Sequence, residues 1–421
     1  MADDALIAHL LRRTGFGPVP GQVEALVPGG VAAAVDGVLS APPPPLGDPP
    51  ELASNQPNDM QRWWMLRMGQ ADIGLHEKMT WFWHGHITSA YKKVADTRLL
   101  WTQHLLLREQ ALGNFRTLLQ AATIDPAMLS FLDGAGSQHQ DPNENYAREL
   151  QELFSIGRSR VKEANVRAGA KALAGWFIDA DAGTAYFDKN FAMPGTKSVT
   201  FLGEPVNRAR EVVDAVCDKM VARPEKFGTY LVGRLHRYFV GTEPDPARAE
   251  QLAVLFAQND LSVAPVVEEL IRHESFLADG TRLNRPRFPV EWVGAAFGVF
   301  GLTQPSQRRQ ATRDLAQLPF DPPNVAGWPP GPRWLDGTFS LIRARVARAA
   351  AQHQGVDPAL LETIGEDPDP VGAALARCST YEVSDETHGA LTTAAGAVAD
   401  PVERGRVLLA LVVTSPDFAL A

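Results

Sequence analysis

Apolar residues recur at helical spacing along most of this chain. Near its start, Leu6, Ile7, Leu10 and Leu11 share one face of a helix over residues 4–12, which ends at a Gly-Phe-Gly-Pro turn. The same periodicity predicts further helices over residues 23–39, 58–72, 75–89, 94–112, 114–124, 142–157 and 162–179, and again beyond residue 209. We therefore predict a mainly α-helical protein.

Three segments interrupt this helical pattern. Residues 41–50 (APPPPLGDPP) have the composition of a polyproline II strap on the protein surface. Residues 183–203 place aromatic and β-branched residues on either side of Met193-Pro194-Gly195, which predicts a small inserted β-hairpin. Residues 319–334 are too rich in proline for a helix or an inner strand, and we predict a defined Pro-rich loop there.

The chain length of 421 residues is enough for one large or two ordinary domains. Because helical patterning resumes directly after the strap, we expect a single large multi-helix domain. Its core would comprise residues 1–351, including the hairpin insertion near 183–203. Residues 352–421, which are alanine-rich, would form a helical extension packed on the same domain.

Composition narrows the classes of function. The net charge of −9 argues against a nucleic-acid partner, because phosphate binding needs a basic face. Two cysteines, Cys217 and Cys378, are too few for a disulfide framework or a thiolate metal site. The absence of any run of about 18 apolar residues predicts no membrane span. Acidic residues before the first apolar run are the wrong order for a secretory signal, so we expect a cytoplasmic protein.

The segment from Glu77 to Tyr91 contains two histidines two residues apart, His84 and His86. In a regular helix their side chains would point about 200° apart and would not reach one ion. They would converge if the helix ended near Gly85. The alternative is that one of them is a packed core histidine among the neighbouring aromatic residues.

A second segment, from Asp141 to Gly157, is dense in carboxylates and amides. Asp141 is predicted to be the N-cap of its helix, and Gly157 suits the C-terminal cap. Within it, Glu144, Arg148 and Glu152 share one helix face, and Asn145 and Glu149 form the adjacent row. These groups form either a surface ion-pair ladder or part of a functional site at the edge of the core.

The proline-rich loop carries Asn324 and Trp328 in the stretch PPNVAGW. A rigid loop of this kind presents functional groups well, and it equally well fills a core. Signature motifs for nucleotide binding and for serine hydrolases are absent from the sequence, so no nucleotide cofactor is expected.

Together, several segments resemble the bacterial family called domain of unknown function eighteen hundred. The segments, in order, are HLLRRTGFGP at 9–18, EKMTWFWHGHITS at 77–89, NENYARELQELFSIG at 143–157, LAGWF at 173–177, RPEKFGTYLVGRLHRYFV at 223–240 and PFDPPNVAGWPPGPRWL at 319–335. The resemblance implies a mainly helical fold and no settled activity. It also implies a His-Asp pair in the hairpin, where this chain has Phe187-Asp188-Lys189.

The leading hypothesis from these residues is a metal-dependent enzyme. His84, His86 and Glu149 would bind a divalent ion (iron, zinc, copper or manganese), because imidazole and carboxylate ligands leave open positions for a substrate or oxygen. Oxidative tailoring of a small or peptidyl, aromatic substrate is slightly preferred over hydrolysis.

The remaining candidate residues would serve catalysis and substrate binding. The catalytic candidates are Glu144, Asn145, Arg148 and Glu152, and the substrate-binding candidates are Trp83, Asn324 and Trp328. Two alternatives stay open. One is a non-catalytic helical scaffold that binds a protein partner through a buried His/Glu network. The other is a metal-free acid–base enzyme or hydrolase at the same site.

Overall fold

The computed structural model describes residues 3–70 and 74–421, and it is mainly α-helical, as predicted. The helices are α1 (Asp3–Thr14), α2 (Gln22–Leu26), α3 (Gly30–Ser40), α4 (Asn58–Arg67), α5 (Gly74–His86), α6 (Tyr91–Val94), α7 (Thr97–Glu109), α8 (Phe115–Thr123), α9 (Pro126–Phe131), α10 (Asn145–Glu149), α11 (Glu163–Leu173), α12 (Ala209–Ala222), α13 (Pro224–Phe227), α14 (Thr229–Val240), α15 (Pro246–Gln258), α16 (Val263–Arg272), α17 (Pro289–Val299), α18 (Pro305–Asp314), α19 (Gly337–Ala351), α20 (Pro358–Glu366), α21 (Pro370–Arg377), α22 (Asp385–Ala397) and α23 (Pro401–Thr414).

Local sequence explains where many of these helices begin. An Asp-Pro pair starts five of them: the aspartate accepts a backbone N–H of the first turn, and the proline takes the first helical position, which needs no donor. These pairs precede α9, α15, α20, α21 and α23. The pattern of short, separately capped helices therefore follows directly from the residues.

Helix α5 is deeply buried. Ten of its 13 residues are buried, and it packs against α1, α3 and α7. Its Glu77 is fully buried and accepts from Arg67 (2.8 Å), from Arg108 and from Trp64 Nε1 (2.6 Å). Two arginines on one carboxylate compensate the desolvation that burial imposes on it.

The same two arginines hold the proline-rich strap. Arg67 donates to the carbonyl of Leu46 (3.0 Å), and Arg108 donates to that of Pro44. Residues 41–50 contain no helix or strand, and most are at least partly exposed. The strap is thus an extended segment tied to the core through its carbonyl groups.

The C-terminal helices pack directly on the rest of the chain. Trp292 Nε1 on α17 donates to the carbonyl of Val413 on α23 (3.0 Å), and Arg377 on α21 donates to that of Val299 on α17 (3.0 Å). Near the last residues, the N–H of Arg287 donates to the carbonyl of Ala419 (2.9 Å). Residues beyond 351 therefore share a core with what precedes them.

The β structure is small, as predicted, but its pairing differs from a single hairpin over 183–203. Strand β1 (Trp176–Asp179) pairs antiparallel with β2 (Thr184–Phe187), and β3 (Val199–Phe201) pairs with β4 (Glu204–Val206). The helix predicted to reach residue 179 ends at Leu173 instead. Gly175, with a φ of +99°, turns the chain, and Trp176 then begins β1.

The acidic segment also begins later than predicted. Helix α10 starts at Asn145, and Asp141 is not its N-cap, because the side chain of Asn143 first forms a turn by accepting the N–H of Asn145 (2.8 Å). The chain then continues as a π-helical turn from Leu150 to Ser155. Gly157 ends it as expected, with a φ of +86°.

Helix α4 ends at Arg67, earlier than the predicted end at residue 72, and residues 71–73 lie outside the described residues. Within the described part of the chain, one stretch, Gln22–Ser40, is long and apolar enough by composition to span a membrane. It is weak evidence of a span. The stretch is divided into α2, a 3-10 turn at Val27–Gly29 and α3, and α3 packs against α1.

Candidate functional site

The proline-rich loop, residues 319–335, is bonded to the C-terminal end of α5. The N–H of Phe320 donates to His84 Nε2 (3.0 Å), and the carbonyl of Phe320 accepts from the N–H of Tyr91 (2.8 Å). The hydroxyl of Thr88 donates to the carbonyl of Val325. The loop therefore takes a defined position, because three polar groups at or just beyond the end of α5 bond to its backbone.

A close backbone approach strengthens this junction. Gly327 has a φ of +79°, and a Cβ at this position would lie 2.2 Å from the carbonyl oxygen of Gly85. Only glycine fits both the left-handed backbone conformation and the available space. The next residue, Trp328, stacks on Trp81 of α5, with ring centroids 5.0 Å apart and ring planes at 22°.

The junction forms one wall of a cleft of about 930 Å³. The other walls are the C-terminal half of α14, residues 284–288 and the start of α19. The cleft is strongly aromatic, and its aromatic lining residues are Trp81, Phe82, Tyr238, Phe288, Trp328, Trp334 and Phe339. This volume lies within the usual range for sites that enclose a small molecule or a short peptide segment.

The charged residues that line the cleft are predominantly basic. Four arginines, Arg234, Arg237, Arg285 and Arg333, face one carboxylate, Glu243, although the whole chain has a net charge of −9. Positive charge is thus concentrated in this cleft.

Two of these arginines already have carboxylate partners. Arg285 pairs with the buried Glu291 (3.1 Å), and Arg237 pairs with Glu243. Among residues 3–70 and 74–421, neither Arg234 nor Arg333 pairs with a carboxylate, and Arg234 contacts the hydroxyl of Tyr230 (3.5 Å). Buried nitrogens without a hydrogen-bond partner among the described residues include Nε of Arg237 and Nε1 of Trp328. Arg234 and Arg333 therefore present donors to the cleft that no carboxylate among the described residues occupies.

The cleft contains few groups for acid–base or nucleophilic chemistry. None of the described lining residues is His, Cys, Asp, Ser or Thr. The hydroxyl of Tyr238 donates to the carbonyl of Lys78 (3.2 Å), and burial raises the pKa of Tyr238 well above its usual value. Tyr238 thus remains protonated, and its hydroxyl proton is already engaged.

His84 and His86 both lie within α5, which continues to His86, so their rings occupy different surroundings. His84 lies among Trp64, Trp81 and Phe320, whereas His86 lies among other aromatic residues and bonds to the carbonyl of Phe154 (2.9 Å). Burial lowers the pKa of both, and that of His84 falls to about 3. Among the described residues, the two rings have no aromatic neighbour in common, so they lie in separate surroundings.

The acidic helix, which is α10 with the π-helical turn that follows it, contacts α5 where the carbonyl of Phe154 bonds to His86 and where the rings of these two residues lie 6.5 Å apart. Its charged face forms an ion network: Arg148 pairs with Glu163 (2.6 Å), Glu144 (3.5 Å) and Glu152 (3.6 Å). Glu149 is half-buried, and burial together with Glu152 raises its pKa. This arrangement corresponds to the ion-pair ladder that the spacing left open.

The remaining candidate residues also lie in different parts of the molecule. Asn145 lies on the surface and donates to Asp133 (3.2 Å), whereas Trp83 is fully buried and donates to the carbonyl of Ala111 (3.0 Å). Asn324 and Trp328, the two loop residues predicted to bind substrate, line the cleft. The structure thus brings two of the ten candidate residues to the cleft, and His84 supports the loop behind them.

The predicted metal site stays a prediction. His84 and His86 each already use Nε2 in a bond to the backbone, and Glu149 lies on a different helix from both. Within the described ranges, no group of three or more His, Cys, Asp or Glu residues is placed to hold a metal ion. The three predicted ligands do not fit one ion, and we derive no chemistry from a metal here.

The basic residues of the cleft were not among the candidates predicted from sequence. On α14, Arg234, Arg237 and Tyr238 follow the i, i+3, i+4 spacing that puts them on one helix face, in the stretch RLHRY. That spacing was a usable signal. Arg285 and Arg333 had none, because they come from segments about 50 and 100 residues further along the chain.

These features define a class of protein: a helical domain with an arginine-rich, aromatic cleft closed on one side by a proline-rich loop. The chain belongs to the family described as "Protein of unknown function (DUF1800)", whose model matches residues 9–420. No curated protein matches the chain, and no solved structure matches it.

Proposed function

We propose that the protein binds, in the cleft between α5, α14 and the proline-rich loop, an anionic small molecule or peptide with an aromatic or other apolar portion. The observation that carries the proposal is the lining itself: seven aromatic residues and four arginines around one carboxylate. The ligand class predicted from the sequence, a small or peptidyl aromatic substrate, agrees with this lining.

The two kinds of lining residue favour such a ligand for different reasons. Aromatic walls gain free energy by removing apolar surface from water, at roughly 25 cal/mol per Å². Arginines within a partly enclosed space attract an anion more strongly than they would in bulk water, because the effective dielectric constant is lower.

The same lining favours binding over residue-based catalysis as the primary role. Its one carboxylate is paired with Arg237, and the hydroxyl of Tyr238 is bonded to a backbone carbonyl. We therefore propose a ligand class and assign no reaction.

A pair of matched probes tests the proposal. The anionic aromatic probe is 1-anilinonaphthalene-8-sulfonate, and N-phenyl-1-naphthylamine has the same rings without the charge. We expect the native protein to bind both probes and to prefer the anion. Arg234→Gln should weaken binding of the anion by roughly 5- to 20-fold and leave the neutral probe nearly unchanged, because one charge-assisted contact is lost.

The control variant is Arg313→Gln, since Arg313 is an exposed arginine that does not line the cleft. It should bind both probes like the native protein. Fluorescence titrations give the dissociation constants, and thermal unfolding verifies that each variant is folded. The proposal is wrong if the native protein binds neither probe, or if Arg313→Gln and Arg234→Gln weaken anion binding equally.

A further inference from the structure

Glu243 is the one carboxylate among the described residues that line the cleft, and its position is unusual. It lies between α14 and α15 and forms an ion pair with Arg237, six residues back along the chain on α14. Its side chain is 63% exposed, so it can rotate into solvent without leaving a buried void. In the ligand-free cleft, this carboxylate therefore neutralises one of the four arginines.

Two contacts just before Glu243 hold the backbone that carries it. His236 Nδ1 bonds to the carbonyl of Thr242 (2.8 Å). Gly241 has a φ of +92°, and a Cβ there would lie 2.2 Å from Oδ1 of Asn284. The chain thus turns closely past Asn284, and the contact between Glu243 and Arg237 follows from a defined backbone.

We propose that Glu243 occupies the position that the carboxylate of a ligand takes on Arg237, so that the ligand is a carboxylic acid with an aromatic or apolar group. This inference rests on the function proposed above and adds the chemical class of the anion. The Glu243 side chain is then both a model for the ligand carboxylate and a competitor with it.

Geometry supports a carboxylate at this position. A guanidinium is planar and presents its N–H groups in a fork, which matches the two oxygens of a carboxylate. Arg237 uses one terminal nitrogen for Glu243, while its buried Nε has no partner among the described residues. A ligand carboxylate that replaces Glu243 would meet the same terminal nitrogen of Arg237 that Glu243 now occupies.

Competition between Glu243 and a ligand carboxylate for Arg237 predicts how the affinity for an acid changes when Glu243 is replaced. Because exposed ion pairs contribute little, displacing Glu243 is easy, and its removal should improve the binding of an acid only moderately. Glu243→Gln should therefore bind 3-phenylpropanoate about two- to fivefold more tightly than the native protein does. The uncharged 3-phenylpropanamide should bind both proteins equally.

Two further variants complete the design. Arg237→Gln should reduce the preference for the acid over the amide, because the charge that recognises the carboxylate is gone. Glu225→Gln is the matched control: Glu225 is a comparably exposed glutamate paired with Arg223 (3.4 Å), and it does not line the cleft. It should leave both affinities unchanged in isothermal titration calorimetry.

Phenyl phosphate is the third ligand, and it distinguishes a carboxylate site from a general anion site. A preference for 3-phenylpropanoate over phenyl phosphate in the native protein supports the inference. It is overturned if the native protein binds the acid but Glu243→Gln binds it no more tightly, or if phenyl phosphate binds better. Those results leave the proposed cleft intact, whereas no binding of any aromatic probe removes both proposals.

Discussion

Two regions of this chain have a similar density of polar and chargeable groups and very different surroundings. At the junction of α5 with the proline-rich loop, His84 is buried, bonds to one backbone N–H and lies among aromatic rings. On the acidic helix, Arg148 lies at the surface and pairs with three glutamates around it. The first region forms a wall of the cleft, and the second forms an ion network facing water.

The comparison shows that the contribution of a polar group to the structure depends on its burial and its bonding partners. The number of polar groups near it in the sequence does not decide it. In a low-dielectric environment each bond restricts the structure strongly, because an unpaired group is costly. In water, ion pairs exchange with solvent and contribute little. Variants at the two regions should therefore differ greatly in effect.

The largest effect is expected at Gly327. In Gly327→Ala, the new Cβ would lie 2.2 Å from the Gly85 carbonyl, and the backbone has a φ of +79°. We expect a loss of about 3 kcal/mol in the free energy of unfolding, measured by denaturant titration, or a displaced loop with weaker probe binding. In Gly331→Ala, φ is +86° and ψ is −158°, which strains an alanine backbone, but no atom lies within 4 Å, so a smaller loss of about 1–2 kcal/mol is expected. Equal losses would show that the contact with α5 is not what holds the loop.

The next prediction concerns the pH dependence of the free energy of unfolding. Burial lowers the pKa of His84 to about 3 from its ordinary 6.5, so between these values the unfolded chain binds a proton that the folded chain does not. The contribution of this histidine to stability is full above about pH 6.5 and is lost as the pH falls, at up to ~1.4 kcal/mol per pH unit. His84→Gln, which keeps an acceptor, should lower stability at neutral pH and make it less sensitive to acid. Denaturant titrations across this range measure the slope. The exposed His388→Gln serves as the control, and an unchanged slope in His84→Gln would contradict the prediction.

The smallest effect is expected on the acidic helix. Arg148→Ala removes three ion pairs, yet Arg148 is about one-third exposed and its partners can bind water instead. Thermal unfolding should show a smaller loss of stability for Arg148→Ala than for Gly327→Ala or His84→Gln. The affinity for both naphthyl probes should equal that of the native protein. A large loss of probe binding in Arg148→Ala would remove the distinction between the two regions.

Local patterns predicted much of this structure. The helical periodicity, the proline-rich strap, the defined loop at 319–334 and the cap at Gly157 follow from features within a few residues of each other. The pairing of the β-strands could not be predicted from such local features. Residues 184–187 pair with the preceding strand, and residues 199–201 with the following one, because each forms its own short connection.

For the candidate site, the sequence by itself determined which side chains are present and which of them share a helix face, as with Arg234 and Tyr238 on α14. It also determined that the proline-rich loop carries Asn324 and Trp328. Only the tertiary structure decided that this loop closes on α5, that His84 bonds to its backbone, and that arginines from α14 and from residues 285 and 333 line one cleft. The physical reason is that the periodicity of apolar residues depends only on how side chains close together in the sequence are oriented. Burial and charge pairing, by contrast, depend on segments more than 200 residues apart packing together.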